Sequence, residues 1–249
     1  MKVSVITVAY NSASTIEDTI RSVVSQQYAD IEYLIIDGAS KDDTLRIAER
    51  YQNKIARLVS ERDKGIYDAM NKGVDLATGD IIGILNSDDF YADDQVISDV
   101  VKTFAQNDCD VVYADLDYVD QHDTQRTVRR WKAGSYRHGY FKKGWMPPHP
   151  TFFVKRELYE KFGKYSLELR SAADYELMLR MMHRHRATVS YLPRTIIHMR
   201  TGGQSNVTLR NRLRANAEDR RAWAMNNLRP AWYTLTWKPI RKIGQFIRV

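Results

Sequence analysis

Residues 80–91 read DIIGILNSDDFY. The apolar run from Ile81 to Leu85 stops abruptly at Asn86, Ser87, Asp88 and Asp89. A short β-rich run closed by polar residues predicts a strand buried in the middle of a sheet. Two adjacent carboxylates at the mouth of such a strand are costly unless positive charge meets them. This strand end is therefore both the key to the fold and a candidate site.

Working outward, the same rhythm repeats. Val3–Ala9 is a strand stopped by Tyr10 and Asn11, and residues 14–27 place Ile16, Ile20, Val23 and Val24 at helical spacing. Ile31–Ile36 is a second strand ending at Asp37-Gly38, and the next helix carries Ser40 and Asp43 in capping-box spacing. Ala56–Ser60 is a third strand, GIYDAMNKGVDLA a helix, and residues 93–106 another helix. Alternation of strand and helix predicts a mostly parallel sheet with helices on both faces. After Asp110 the pattern changes to two strands of a hairpin or meander, a loop with Gly134, Gly139 and Gly144, and a short strand after MPPHPTFFV. Residues 172–185 read as a helix, ATVSYLP as a strand, HMRTGGQSN as a loop, and the chain is helical from Thr208. The expected division is 1–206, made of a nucleotide-binding half (1–110) and an acceptor half (111–206), followed by a helical appendage (207–249).

Composition narrows the class. With 43% hydrophobic and 28% charged residues, the 249-residue chain buries a full core. A lone cysteine, Cys109, excludes an internal disulfide and a Cys-rich zinc site. No apolar stretch approaches the roughly 20 residues that span a bilayer. The net charge is +7, but residues 207–249 hold ten Lys/Arg against Glu218 and Asp219, leaving the body near neutral. That asymmetry argues against a body-wide nucleic-acid surface and for a specialised C-terminal contact.

Ligands of open α/β sheets bind at the carboxyl ends of the strands. Tyr10-Asn11, Asp37-Gly38, Ser60-Glu61-Arg62-Asp63 and Asn86 to Asp89 should converge on one rim. Neither a G-x-G-x-x-G nor a P-loop motif occurs, nor a G-x-S-x-G elbow. Carboxylates without a glycine cradle suit a divalent cation, Mn²⁺ or Mg²⁺, bridging the oxygens of a diphosphate. The plain alternative is that Asp88 and Asp89 cap the helix that follows.

Four segments, VSVITVAYNSASTIEDTIRSVVSQQ, IEYLIIDGASKDDT, SERDKGIYDAMNKGVDLATGDIIGILNSDDFY and SAADYELMLRM, occur in the order seen in inverting family 2 glycosyltransferases. The chain resembles the bacterial enzymes that build exopolysaccharides, colanic acid and O-antigens. The resemblance implies the GT-A fold: α/β, a mostly parallel central sheet flanked by helices, here with a C-terminal helical appendage. It also implies a nucleotide-sugar donor, expected to be UDP-linked, and roles for particular residues. Val8 and Tyr10 would contact the nucleoside, with the Tyr10 ring on the base. Asp37 would hydrogen-bond the base or ribose, although relatives often read Asp-Asp-Gly-Ser where this chain has Asp37-Gly38-Ala39-Ser40. Asp63 and Lys72 would line the ribose and diphosphate. Asn86 stands where a first aspartate is common, so Asp89 is expected to bind the metal and Asp88 the donor. His198 falls near a third metal ligand of some GT-A enzymes. Asp174 matches the catalytic base, with Glu176 as its runner-up. Residues 202–205 resemble a loop that closes over the donor.

Each assignment has a plainer reading. Asp37 suits an Asx turn, Lys72 a solvated helix face, and Asp174 a capping box with Ser171. His149 and Trp145 are candidates for the acceptor or sugar pocket, as is Trp131, although buried packing is the commoner use of tryptophan. In the tail, Ile240, Ile243, Phe246 and Ile247 can share a helical face flanked by Arg241, Lys242 and Arg248. That pattern suggests an interfacial helix on anionic lipid, or else a bundle packed on the body. The expected protein is a metal-dependent transferase acting on a lipid-linked glycan at the cytoplasmic face of the inner membrane, its oligomeric state left open. The rivals are a catalytically impaired nucleotide-sugar-binding partner and a basic-tail module for nucleic acid or protein.

Overall fold

The computed structural model describes residues 1–202 and 209–243, with side chains described outside 209–215 and 239–243. In chain order the elements are β1 (Val3–Ala9), α1 (Ile16–Val24), β2 (Ile31–Asp37), α2 (Thr44–Glu49), β3 (Arg57–Ser60), α3 (Ile66–Leu76), β4 (Ile81–Asn86), β5 (Asp89–Tyr91) and α4 (Val96–Asn107). They continue with β6 (Val111–Val119), β7 (Thr127–Trp131), β8 (Phe153–Lys155), α5 (Arg156–Phe162), α6 (Ala173–Met178), β9 (Val189–Arg200), α7 (Leu209–Met225) and α8 (Thr234–Ile243). One sheet runs β3-β2-β1-β4-β8-β6-β9-β5, with β7 beside β6.

The first four strands are parallel. Every residue of β1 is buried, as a strand covered on both faces requires. One layer packs α3, α5 and α6 against Ile6, Ile36 and Ile84, and the other packs α1 and α4 against Val5, Ile35 and Leu85. In the second half the sheet is mixed: β8 is antiparallel to β4 and β6, and β9 is parallel to β6.

Three local expectations change. The Ser40–Asp43 box does not form: Ser40 turns its hydroxyl onto Asp37, and the helix starts at Thr44, whose N–H and hydroxyl donate to Asp42. Asp88 and Asp89 do not cap α4, because Asp89 opens the short strand β5 and the helix begins at Val96. The loop expected at residues 198–206 begins later, since β9 runs to Arg200 and pairs Asp89 with Met199 and Phe90 with His198. A strand ladder with both β6 and β5 holds these residues extended, a long-range pairing no local pattern reveals. Residues 203–205 of the expected donor loop lie outside the described residues, as do the side chains of the terminal amphipathic face.

Helix α7 packs on α6: Trp223 is fully buried and donates to the Tyr175 hydroxyl at 2.9 Å. No helix among the described residues is long and apolar enough to cross a membrane.

Candidate active site

The carboxyl ends of β1, β2, β3 and β4 meet on one rim. Asn11 and Ala39, just past β1 and β2, both adopt left-handed backbone, φ 50° and 59°. Their turns are laced together: Asn11 N–H donates to Ser40 Oγ, and Lys41 N–H donates to Asn11 Oδ1. Tyr10 projects from this rim 61% exposed, so its ring face is open for stacking. Val8 lies beneath it, buried. A Cβ at Gly38 would meet Asp63 Oδ2 at 2.5 Å and the Tyr10 ring at 3.3 Å, so Tyr10, Gly38 and Asp63 line one crowded corner.

Asp37 and Lys72 are less available than expected. Asp37 is 1% exposed, and its carboxylate accepts from Ser40 N–H, Ser40 Oγ and Ser60 Oγ. Its demonstrable work is the Asx-type turn after β2, while Asp63, half-buried, is the more open acid of the corner. Lys72 Nζ pairs with Glu61 at 2.9 Å and donates to the Arg62 carbonyl, which fastens α3 to the β3 loop.

The acidic turn is pinned from three sides. Ser87 bonds Ser12 Oγ to Oγ, Thr19 donates to the Asp89 carbonyl, and Arg200 Nη1 donates to the Asp88 carbonyl. Arg200 is 7% exposed, lies over the Phe90 ring and pairs with Asp18 of α1. It is the protein's own positive charge beneath Asp88 and Asp89, and it lowers the cost of ionising both. No local pattern marks Arg200, which lies at the end of β9 where a loop is expected.

Even so, burial pushes the Asp88 carboxyl up, and burial followed by the charge of Asp88 pushes Asp89 well above the usual carboxylate range. Asp89 is fully buried; one oxygen accepts from Asn86 Nδ2 at 3.0 Å, and the other is buried without a partner, as is Asn86 Oδ1. Orphaned oxygens beside a second carboxylate are the donor set of a hard divalent cation, so these residues fit one. Within the pair, Asp88 is the partly exposed carboxylate and Asp89 the enclosed one.

His198 does not stand with Asp89. It pairs across the ladder with Phe90, and alternate residues of a strand face opposite sides. Its ring lies 5.4 Å from Phe90; burial lowers its basicity, against the charges of Asp117 and Asp93. No cluster of three or more His, Cys, Asp or Glu that would hold a metal occurs among the described residues.

Asp174 sits in the first turn of α6, yet the capping reading fails. The N-cap is Ala172 without a side-chain bond, and Ser171 gives its hydroxyl to Glu218. Asp174 Oδ1 instead accepts from the Tyr67 hydroxyl at 3.1 Å. Tyr67 stacks on Tyr165 at 5.8 Å, and the Tyr165 hydroxyl meets His149 Nε2 at 2.8 Å. Burial, then the charge of Asp174, raises the Tyr67 hydroxyl far above its ordinary range, so it remains a neutral donor.

Three pocket candidates turn inward. His149 is 8% exposed behind Tyr165, and burial lowers its basicity. Trp145 is 4% exposed, donates to the Ala133 carbonyl and is enclosed by Tyr113, Tyr136 and Phe141. Glu176 is buried in an ion pair with Arg180 at 2.8 Å and accepts from Asn226, tying α6 to the end of α7. Two residues on from Asp174, it faces elsewhere on the helix. Trp131, half-buried, ends β7 with the Arg129 guanidinium 5.8 Å from its ring.

This arrangement has counterparts among known proteins. Residues 4–163 match the glycosyl transferase family 2 domain. A PGL/p-HBAD biosynthesis glycosyltransferase of Mycobacterium tuberculosis is 30% identical over 209 residues, covering 82% of this chain and 78% of that one. An uncharacterized glycosyltransferase of the same species is 31% identical, covering 72% and 68%. Among solved structures, S. aureus TarS 1–349 in complex with UDP-GlcNAc superposes with a TM-score of 0.70 at 19% identity, covering 91% of this chain. The chain spans 65% of the length of that TarS chain. The mannosyltransferase PcManGT of Pyrobaculum calidifontis, in complex with GDP-Man and Mn²⁺, gives 0.65 at 21% identity, covering 90% of this chain and 63% of that one. With its strand-end rim and acidic turn in this frame, the chain belongs to glycosyl transferase family 2 and has the GT-A fold of nucleotide-sugar transferases.

Proposed function

We propose that the protein transfers a sugar, with inversion, from a UDP-linked donor to a hydroxyl of a lipid-linked glycan in bacterial cell-surface polysaccharide synthesis. The observation that carries this reading is Asp174: a partly exposed carboxylate, released from capping duty, with one oxygen held by Tyr67. Among the described residues no group donates to its other oxygen, which is free to take the acceptor's proton as that hydroxyl attacks the anomeric carbon. Tyr10 stacks on the base and Asp63 faces the nucleoside corner. Asp88, backed by Asp89 and Asn86, would hold Mn²⁺ or Mg²⁺. When bound, that cation offsets the charge developing on the leaving diphosphate. Arg200 holds the acidic turn in place and lowers the cost of charge on it. PcManGT with GDP-Man and Mn²⁺, and TarS with UDP-GlcNAc, support a nucleotide-sugar donor and a metal by analogy of fold. The C-terminal helices, with their basic residues and tryptophans, would rest on an anionic membrane carrying the acceptor.

Calorimetric titration with UDP, GDP, UDP-GlcNAc and GDP-mannose, with and without Mn²⁺, tests the donor and the metal together. UDP affinity should rise with Mn²⁺ and survive Asp174→Asn, while nucleotide release from the bound donor should not. Turnover of Asp174→Asn at the wild-type rate would make Asp174 a structural residue.

A further inference from the structure

The membrane reading of the C-terminal helices rests on their sequence, but the fold brings a second segment to the same place. The 3₁₀ turn Tyr140–Lys143, about a hundred residues upstream, packs directly on α8. Thr234 donates its hydroxyl to the Lys142 carbonyl at 2.5 Å. Gly144, in left-handed backbone at φ 69°, lies so close to α8 that a Cβ there would meet the Lys238 backbone nitrogen at 2.5 Å. Lys238 is a bolt and not a surface charge: its ammonium pairs with Asp219 at 2.7 Å and lies 3.8 Å from the centre of the Tyr175 ring. The start of α8 is thus fixed to the body, with Lys238 touching the helix that carries Asp174.

At this edge the protein exposes what a bilayer interface takes up. Trp232, two residues before α8, is 92% exposed, and Trp237 on α8 is 47% exposed. Lys142 and Lys143, flanking the contact, are both exposed, and neither is ion-paired among the described residues. Arg229, three residues before Trp232, is exposed as well. Tryptophan is favoured at headgroup depth because its ring is apolar and its indole N–H polar, and lysine reaches anionic headgroups while its stem stays on apolar surface. We infer that Lys142 and Lys143 of the central loop join Trp232 and Trp237 of the C-terminal segment in one composite surface for anionic phospholipid. This deepens the membrane reading above and rests on it. A rigidly bolted surface would also fix the orientation of the Asp174 helix to the bilayer, which a tethered tail could not do.

Co-flotation of the full chain with phosphatidylcholine vesicles, with and without phosphatidylglycerol, tests this directly. A lysine near an anionic surface is worth about a fivefold change in partitioning, so Lys142→Glu with Lys143→Glu should lower binding to the anionic vesicles at least about 25-fold. Trp232→Ala with Trp237→Ala should lower binding too, but with little dependence on salt. Circular dichroism and melting temperature should not change for either variant, since these side chains are exposed. If the lysine variant binds as the wild type does while the tryptophan variant is released, the composite surface is wrong and the tail alone binds. Should the wild type ignore anionic vesicles altogether, the membrane reading fails with it. A dimer in light scattering that dissociates on replacing the tryptophans would make this edge a contact between copies and overturn the lipid assignment.

Discussion

Replacing Asp89 by asparagine separates the function of the acidic turn from its cost. The Asp89 carboxyl is fully buried, is next to a second carboxylate, and has one oxygen without a partner. Burial and the neighbouring charge raise its proton affinity well above normal. A raised carboxyl stabilises the fold below its unfolded value near pH 3.8, and that stability is lost as pH rises through the folded value. At neutral pH this buried side chain therefore costs stability relative to acid. Asparagine keeps the shape, still accepts from Asn86 Nδ2, and offers an amide that can reach the orphaned Asn86 Oδ1. Relieving one unsatisfied buried group is worth about 1–3 kcal/mol. For a chain of this size that is a rise of about 2–12 °C in melting temperature. The gap between wild type and Asp89→Asn should narrow as pH falls from neutral toward 3.8, because the folded carboxyl takes its proton more readily than the unfolded one. The same variant should lose most of the Mn²⁺-dependent gain in UDP affinity. Thermal melts across pH, paired with calorimetric UDP titrations, check both halves. A variant that melts several degrees lower and keeps its Mn²⁺ response would refute this account of the turn.

Three further expectations concern separate parts of the molecule. Tyr67→Phe keeps the ring stacked on Tyr165 but removes the hydrogen bond to Asp174; a bond to a charged group is worth about 1.5–3 kcal/mol, so turnover should fall about tenfold or more with donor affinity unchanged, as kcat and KM measurements will reveal. Ala39→Gly should raise stability by about 1 kcal/mol, read as a shift in urea midpoint, because the native φ of 59° strains any side chain with a Cβ. Against the burial that would raise it, hydrogen bonds from Ser4, Thr78 and Lys2 bring the Glu32 carboxyl down to about 2. That shift makes on the order of 3 kcal/mol of stability, present above about pH 4.5 and lost as pH falls toward 2; Glu32→Gln should flatten this acid limb of the stability profile.

How much of the site was legible depended on how local each residue's task is. That Tyr10, Asp88 and Asp89 lie at the rim is legible because buried parallel strands end in polar residues where they leave the sheet. Asp174 is singled out only by resemblance, since its spacing from Ser171 equally suggests a capping box. Lys72, Glu176 and Trp145 were misjudged for a common reason. Each has a partner that draws it into the framework: Glu61 for Lys72, Arg180 one turn on together with Asn226 for Glu176, and the Ala133 carbonyl for Trp145. Arg200 went unseen because strand β9 extends beyond its local signal through pairing with β5 and β6.

By itself the sequence determined the alternation of strands and helices, hence a sheet covered on both faces, and the rim where its polar strand ends meet. Those features follow from residue periodicity, and periodicity is a local property. Only the tertiary structure decided which charges meet. It set Arg200 beneath the Asp88–Asp89 turn, turned His198 toward Phe90 and Asp117, gave one Asp174 oxygen to Tyr67, and bolted α8 to the loop at Lys142. Each of these contacts joins residues more than ninety positions apart except the turn of His198 toward Asp117. Contacts across such distances are fixed by strand register and core packing, which no window of sequence contains.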